Sequence, residues 1–141
     1  MPKFKDIQAL VVDDEESTRL LLREALEDLG ITVAEAQDGA DAIYKSLITQ
    51  FDLVTMDILM PNVDGLDAIR AMRTVDPNYR IIIISSCREE RYLQAAREQG
   101  VPHFLHKPVK LAELKAAVED IFAQSPVAPS LSEMGRAIGP A

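Results

Sequence analysis

Four consecutive isoleucines, Ile81 to Ile84, constrain the fold more than any other stretch of this chain. A strand that is apolar on both faces must be covered on both sides, which is typical of strands inside a parallel sheet. Four other strand-like runs occur in the sequence, and segments with helical spacing of their apolar residues separate them. This alternation predicts a doubly wound α/β fold, in which five parallel strands form one sheet with helices on both faces.

The same spacing sets the expected bounds of each element. The predicted strands are 7–12, 31–36, 52–56, 80–85 and 101–106. The predicted helices are 17–29, 39–48, 65–73, 88–99 and 111–122. Ser17 is expected to cap the first helix, because a serine hydroxyl accepts hydrogen bonds from the free amides of a first turn. The core-facing residues of that helix are expected to be Leu21, Leu22, Ala25, Leu26 and Leu29.

The length of 141 residues is that of one ordinary domain. The character of the chain changes near its end, where residues 124–141 combine three prolines with little periodicity. We therefore predict a folded domain at 1–123 and a proline-containing linker or tail at 124–141. One short helical turn is expected within that tail, at 131–138.

Composition excludes several classes of function. The net charge of −8 argues against direct binding of nucleic acid, which needs a basic surface. The longest aliphatic run is Ile81 to Ile84, far short of a membrane span, and the N-terminus has no apolar signal-peptide core. A single cysteine, Cys87, permits no internal disulfide, so a reduced, cytoplasmic setting is expected.

The C-terminal ends of four predicted strands carry the residues with the most chemistry. They are Asp13, Asp14, Asp57, Ser85 and Lys107. Right-handed crossovers bring these ends to one edge of the sheet, where open α/β sheets bind ligands. Three converging carboxylates require a cation, and hard oxygen ligands suit Mg²⁺. With a lysine charge and a serine hydroxyl beside them, the set would hold a phosphoryl group on Asp57 as an aspartyl phosphate.

These residues also lie in motifs that resemble a known family. The matching pieces, spread between Lys5 and Phe122, are VVDD at 11–14, MDILMP at 56–61 with Asp64-Gly65, IIIISS at 81–86 and Lys107-Pro108. In this order they resemble the receiver domain of bacterial response regulators, of the chemotaxis type with a single domain. The resemblance implies a flavodoxin-like (βα)5 fold with strand order 2-1-3-4-5. It also implies phosphotransfer from the phosphohistidine of a histidine kinase to Asp57.

The resemblance further implies a role for each site residue. Asp13, Asp14 and Asp57 would bind Mg²⁺ together with the backbone carbonyl of Leu59. Lys107 would pair with the phosphoryl oxygens.

Four residues would take part in switching or local backbone geometry. Ser85 would move toward the phosphoryl group, and Phe104 would be the switch aromatic. The Lys107–Pro108 peptide bond would be cis. The partner face would comprise the fourth helix, the fifth strand and the fifth helix, and an effector protein would bind there. The chain itself would be a monomer or a weak dimer.

Two positions depart from the family pattern. Leu59 and Cys87 are nonpolar where family side chains help to position or exclude the hydrolytic water. We therefore expect a domain that catalyses only its own phosphorylation and a slow autodephosphorylation, over minutes or longer.

Several alternatives remain open at this point. The chain could pass its phosphoryl group to a histidine phosphotransfer protein, or be the receiver portion of a larger regulator. An aspartate-nucleophile phosphatase would need a second acid where Leu59 stands. A flavin carrier would need a phosphate-cradling loop where the chain has the acids 13–16.

Overall fold

The computed structural model describes residues 4–123. The predictions for 124–141, including the helical turn at 131–138, lie outside the described residues. The strands are β1 Gln8–Val12, β2 Thr32–Ala36, β3 Leu53–Met56, β4 Ile81–Ser85 and β5 His103–His106. The helices are α1 Glu16–Asp28, α2 Gly39–Ile48, α3 Gly65–Val75, α4 Glu90–Glu98 and α5 Leu111–Ala123.

The five strands form one parallel sheet in the order β2-β1-β3-β4-β5. Strand and helix alternate throughout, as predicted, and the strand order is the one that the family resemblance implies. Because every strand is parallel, all five C-terminal ends lie at the same edge of the sheet. This edge carries the candidate site.

The run of isoleucines lies between two separate cores. Ile81 and Ile83 belong to the apolar cluster under α2, α3 and α4, whereas Ile82 and Ile84 belong to the cluster under α1 and α5. All four side chains are at most 1% exposed. Burying each one is worth about 1.5–3 kcal/mol, so β4 is held firmly from both faces.

The start of α1 differs from the prediction. Ser17 is exposed and is not the cap, because the helix begins at Glu16 with Glu15 at its N-cap. The Asp13 carboxylate accepts the Glu15 amide at 2.9 Å, which turns the chain immediately after β1. Leu21 was also placed wrongly, since it is 43% exposed and the buried residues of α1 are Leu22 and Leu26.

The other elements agree with prediction to within two residues. The buried residues of α5 are Leu114, Ala117, Val118 and Ile121. Among residues 4–123, no helix has the length and hydropathy of a transmembrane span.

Candidate functional site

The site is built where β1 and β3, the central neighbours of the sheet, end side by side. Val12 pairs with Met56 in the register, and the Asp57 amide donates to the Val12 carbonyl at 3.1 Å. Asp13 and Asp57, which follow these strands directly, therefore lie next to each other. Both are buried polar residues, with exposures of only 1% and 5%.

Lys107 joins these two acids from the far side of the edge. Its amide donates to the Ser85 carbonyl at 3.0 Å, which continues the pairing of β4 with β5 and aims the side chain inward. The Lys107 Nζ lies 2.8 Å from Asp13 Oδ2 and 3.0 Å from Asp57 Oδ2. One ammonium thus serves as counterion for two buried carboxylates.

The electrostatics of the cluster follow from burial and from this pairing. Burial raises the pKa of Asp13 above its ordinary value, although the Lys107 ammonium and the Glu15 amide oppose the change. Burial alone would lower the pKa of Lys107, but the Asp13 and Asp57 carboxylates raise it well above its ordinary value. Lys107 is therefore fully charged at neutral pH.

Three carboxylates of this edge are close enough to share one cation. Oxygens of Asp13, Asp14 and Asp57 all lie within 4.8 Å of one another. Two of these residues are buried and Asp14 is exposed, so the group opens toward solvent on one side. A set of oxygen donors alone suits a hard cation such as Mg²⁺ and disfavours metals that prefer nitrogen or sulfur.

Gly65 packs closely against the backbone of Asp57 and Ile58. Its amide donates to the Ile58 carbonyl at 2.8 Å. A Cβ at Gly65 would lie 2.8 Å from the Asp57 carbonyl carbon and 2.9 Å from the Ile58 Cα. Only a residue without a side chain allows α3 to start this close to Asp57.

Comparison with known proteins decides the family. A family model described as the response regulator receiver domain matches residues 9–119. This chain belongs to the response regulator receiver family. The receiver is a phosphorylation-dependent signalling domain, and proteins of this family work with histidine kinases, phosphotransfer proteins and effectors.

Relatives of this receiver span several regulators. Protein CcdB of Bacillus subtilis is 38% identical over 117 residues, which cover 81% of this chain and 96% of that protein. Chemotaxis protein CheY of Thermotoga maritima is 33% identical over 115 residues, with coverage of 81% and 96%. A solved CheX-CheY-BeF3-Mg²⁺ complex from Borrelia burgdorferi is similar with a TM-score of 0.78 and 29% identity, covering 84% of this chain and 90% of that one.

Two further predicted site residues, Ser85 and Phe104, contact other groups. The Ser85 hydroxyl is fully buried and accepts the Cys87 amide at 3.2 Å. Phe104 is half-buried against the cluster under α2 to α4, with its ring 5.1 Å from that of His106. Within residues 4–123, the Ser85 hydroxyl forms no hydrogen bond with the acids or with the Lys107 side chain. The Lys107–Pro108 peptide bond is cis.

Two features of the site escaped sequence reasoning. The first is Glu15, whose Oε1 lies 3.5 Å from Lys107 Nζ. The second is the position of Gly65 against the Asp57 backbone. Asp64 does accept the Asp67 amide at 2.9 Å as a cap, but the close approach of Gly65 to Asp57 has no local sequence signal.

Proposed function

We propose that Asp57 is the phosphoacceptor of this receiver and takes its phosphoryl group from the phosphohistidine of a histidine kinase. The observation that carries the proposal is the Lys107 ammonium, which lies 3.0 Å from one Asp57 oxygen at the open edge of the sheet. A buried carboxylate beside a fixed positive charge is placed to act as a nucleophile whose product, also anionic, keeps a counterion.

The chemistry is a direct phosphoryl transfer. An Asp57 carboxylate oxygen forms the new bond to phosphorus while the phosphorus–nitrogen bond to the donor histidine breaks. The electron pair of the broken bond returns to the imidazole nitrogen. Lys107 then pairs with a phosphoryl oxygen as well as with Asp57, so negative charge that moves outward stays compensated.

Asp13, Asp14 and Asp57 fit Mg²⁺ by their donor chemistry and mutual distances, and the backbone carbonyl of Leu59 would complete the protein ligands. The chemistry that bound Mg²⁺ supplies is neutralisation of charge on the acids and on the transferring oxygens. The CheX-CheY-BeF3-Mg²⁺ composition of the Borrelia complex supports this assignment.

Phosphorylation then changes the partner-binding face. The Ser85 hydroxyl would leave the Cys87 amide and donate to the phosphoryl group, which would let Phe104 turn inward from its half-exposed position. The face formed by α4, β5 and α5 would respond, because Ser85 ends β4 and Phe104 lies on β5. An effector protein that prefers the switched face would read the signal in the cytoplasm.

The aspartyl phosphate is expected to last for minutes or longer. Leu59 is 47% exposed beside the site and Cys87 is buried. Neither side chain carries a carboxyl or amide group that could orient a hydrolytic water. A long-lived phosphoryl group suits both a switch and transfer to a histidine phosphotransfer protein. The relative named sporulation initiation phosphotransferase F, which is 31% identical over 110 residues, supports the relay as the second candidate.

Intact mass after incubation with acetyl phosphate and Mg²⁺ tests the phosphoacceptor. Wild type should gain one phosphoryl group, and Asp57→Asn should gain none. Asp64→Asn is the matched control, because it removes a carboxylate from the same connection that only caps α3. The same gain in Asp57→Asn as in wild type would contradict the proposal, as would no gain in wild type.

The relay and the effector switch give different results with purified partners. Incubation of the phosphorylated receiver with a histidine phosphotransfer protein should move the phosphoryl group to that protein only if the relay operates. Retention of the phosphoryl group on the receiver would favour the effector switch.

A further inference from the structure

We infer that Arg19 is a positioning residue, which fixes the peptide between Asp13 and Asp14 and thereby aims the Asp14 carboxylate at the cation. The inference rests on the proposed function, because it concerns the same cation site. No residue of α1 was expected to act there.

The contacts of Arg19 tie the end of β1 to β2. Its Nη1 donates to the Asp13 carbonyl at 2.7 Å, and its Nε donates to Glu35 Oε1 at 3.1 Å. The side chain is only 15% exposed. A planar guanidinium bound at two points in this way holds the carbonyl in a fixed direction.

Glu35 is itself a rigid anchor. It lies on β2, and its second oxygen accepts from Arg23 Nη1 at 2.6 Å. Burial alone would raise the pKa of the Glu35 carboxyl, but the hydrogen bonds from Arg23 and Arg19 hold it below its ordinary value. The anchor is therefore ionised at neutral pH, and Arg19 keeps its partner.

Asp14 is the acid that depends on this arrangement. The Asp13 carboxylate is already held by Lys107 and by the Glu15 amide. Asp14 is exposed, and in the described part of the chain its carboxylate forms no hydrogen bond or ion pair. The Asp13 carbonyl and the Asp14 amide share one planar peptide, so fixing the carbonyl fixes where Asp14 begins.

The sign of the effect separates positioning from simple charge. Removing a positive charge near three carboxylates should strengthen the binding of a divalent cation, because the cation is then repelled less. Loss of positioning should weaken it instead. Arg23 is the matched control, because it binds the same Glu35 but, within residues 4–123, forms no hydrogen bond or ion pair with Asp13 or Asp14.

The test is isothermal calorimetry of Mg²⁺ binding, without any phosphodonor, on wild type, Arg19→Met and Arg23→Met. Methionine keeps much of the apolar stem and removes the guanidinium. Arg19→Met should raise the Kd for Mg²⁺ by roughly tenfold or more, the usual effect of losing a residue that orients a metal ligand. Arg23→Met should leave the Kd unchanged or lower it.

Circular dichroism melting shows that each variant is folded at the titration temperature. If Arg19→Met does not fold, Arg19→Lys against Arg23→Lys gives the same comparison, since lysine presents a point charge that cannot bridge both partners. Equal Kd values for the two positions, or tighter binding by the Arg19 variant, would overturn the inference. If wild type itself binds no Mg²⁺ the proposed function fails, whereas a wild type that binds and is phosphorylated leaves only the role of Arg19 in question.

Discussion

Gly65→Ala is the substitution whose cost can be worked most directly from the structure. The new Cβ would meet two backbone carbons at 2.8 and 2.9 Å, where carbon atoms normally stay about 3.5 Å apart or more. The Asp57 carbonyl oxygen would lie closer still to the new Cβ, so the start of α3 and the Asp57–Ile58 backbone would have to separate by roughly 1 Å or more. Overpacking of this kind costs about 1–3 kcal/mol, and backbone neighbours place it at the upper end.

The gain in helix propensity from glycine to alanine, at most about 1 kcal/mol, offsets part of this cost. We therefore expect Gly65→Ala to lose at least about 2 kcal/mol in free energy of unfolding, measured by urea titration monitored by circular dichroism. Because the displaced atoms belong to Asp57, phosphorylation by acetyl phosphate should also slow in the protein that remains folded.

Gly100→Ala provides the control for backbone strain without crowding. Gly100 has a φ of +73°, yet a Cβ there would meet nothing closer than Arg73 Nη1 at 3.7 Å. This variant should lose about 1–2 kcal/mol and keep the wild-type phosphorylation rate. If Gly65→Ala is within about 0.5 kcal/mol of wild type, or is destabilised without any change in phosphorylation, the reasoning from close approach is refuted.

Three other substitutions test the electrostatics, the phosphate lifetime and the packing of α4. Without Mg²⁺, Asp13→Asn should melt at a higher temperature than wild type, because burial raises the pKa of Asp13 and makes its ionised form unfavourable in the folded state. This difference in melting temperature should shrink as the pH falls through the folded-state pKa of Asp13. A lower melting temperature for Asp13→Asn at neutral pH would contradict the prediction. Leu59→Glu should shorten the lifetime of the aspartyl phosphate severalfold by giving a hydrolytic water a partner; a lifetime of seconds in wild type would make the slow-hydrolysis prediction wrong. Arg73→Met should lower the free energy of unfolding by about 1–3 kcal/mol, because the Gln99 and Tyr79 carbonyls each lose a hydrogen-bond donor. Phosphorylation on Asp57 should continue. A variant as stable as wild type would contradict this account.

The sequence predicted most of the fold because its signals are local and repeated. Doubly apolar strands such as Ile81 to Ile84 need helices on both faces, and the structure places alternate isoleucines in opposite cores. The meeting of Asp13, Asp57 and Lys107 was also predictable, since parallel strands bring their C-terminal ends to one edge.

What could not be predicted depends on the exact start of a helix or on distances across the fold. α1 begins at Glu16, just after the Asp13 carboxylate accepts the Glu15 amide, and it packs on the sheet through Leu22 and Leu26, with Leu21 43% exposed. The same start brings Arg19 to the Asp13 carbonyl. The position of Gly65 under Asp57 joins two elements whose separation no sequence pattern reports.

The ion pairs of Lys107 with Asp13 and Asp57 have a consequence for how a cell could use this protein. A resting site whose two buried acids share the Lys107 ammonium carries part of its own neutralising charge, so we expect the chain to fold without a metal. Shortage of the cation would then silence the signal without reducing the amount of folded protein. The domain can therefore persist unmodified and still respond at once when both the cation and a phosphodonor arrive.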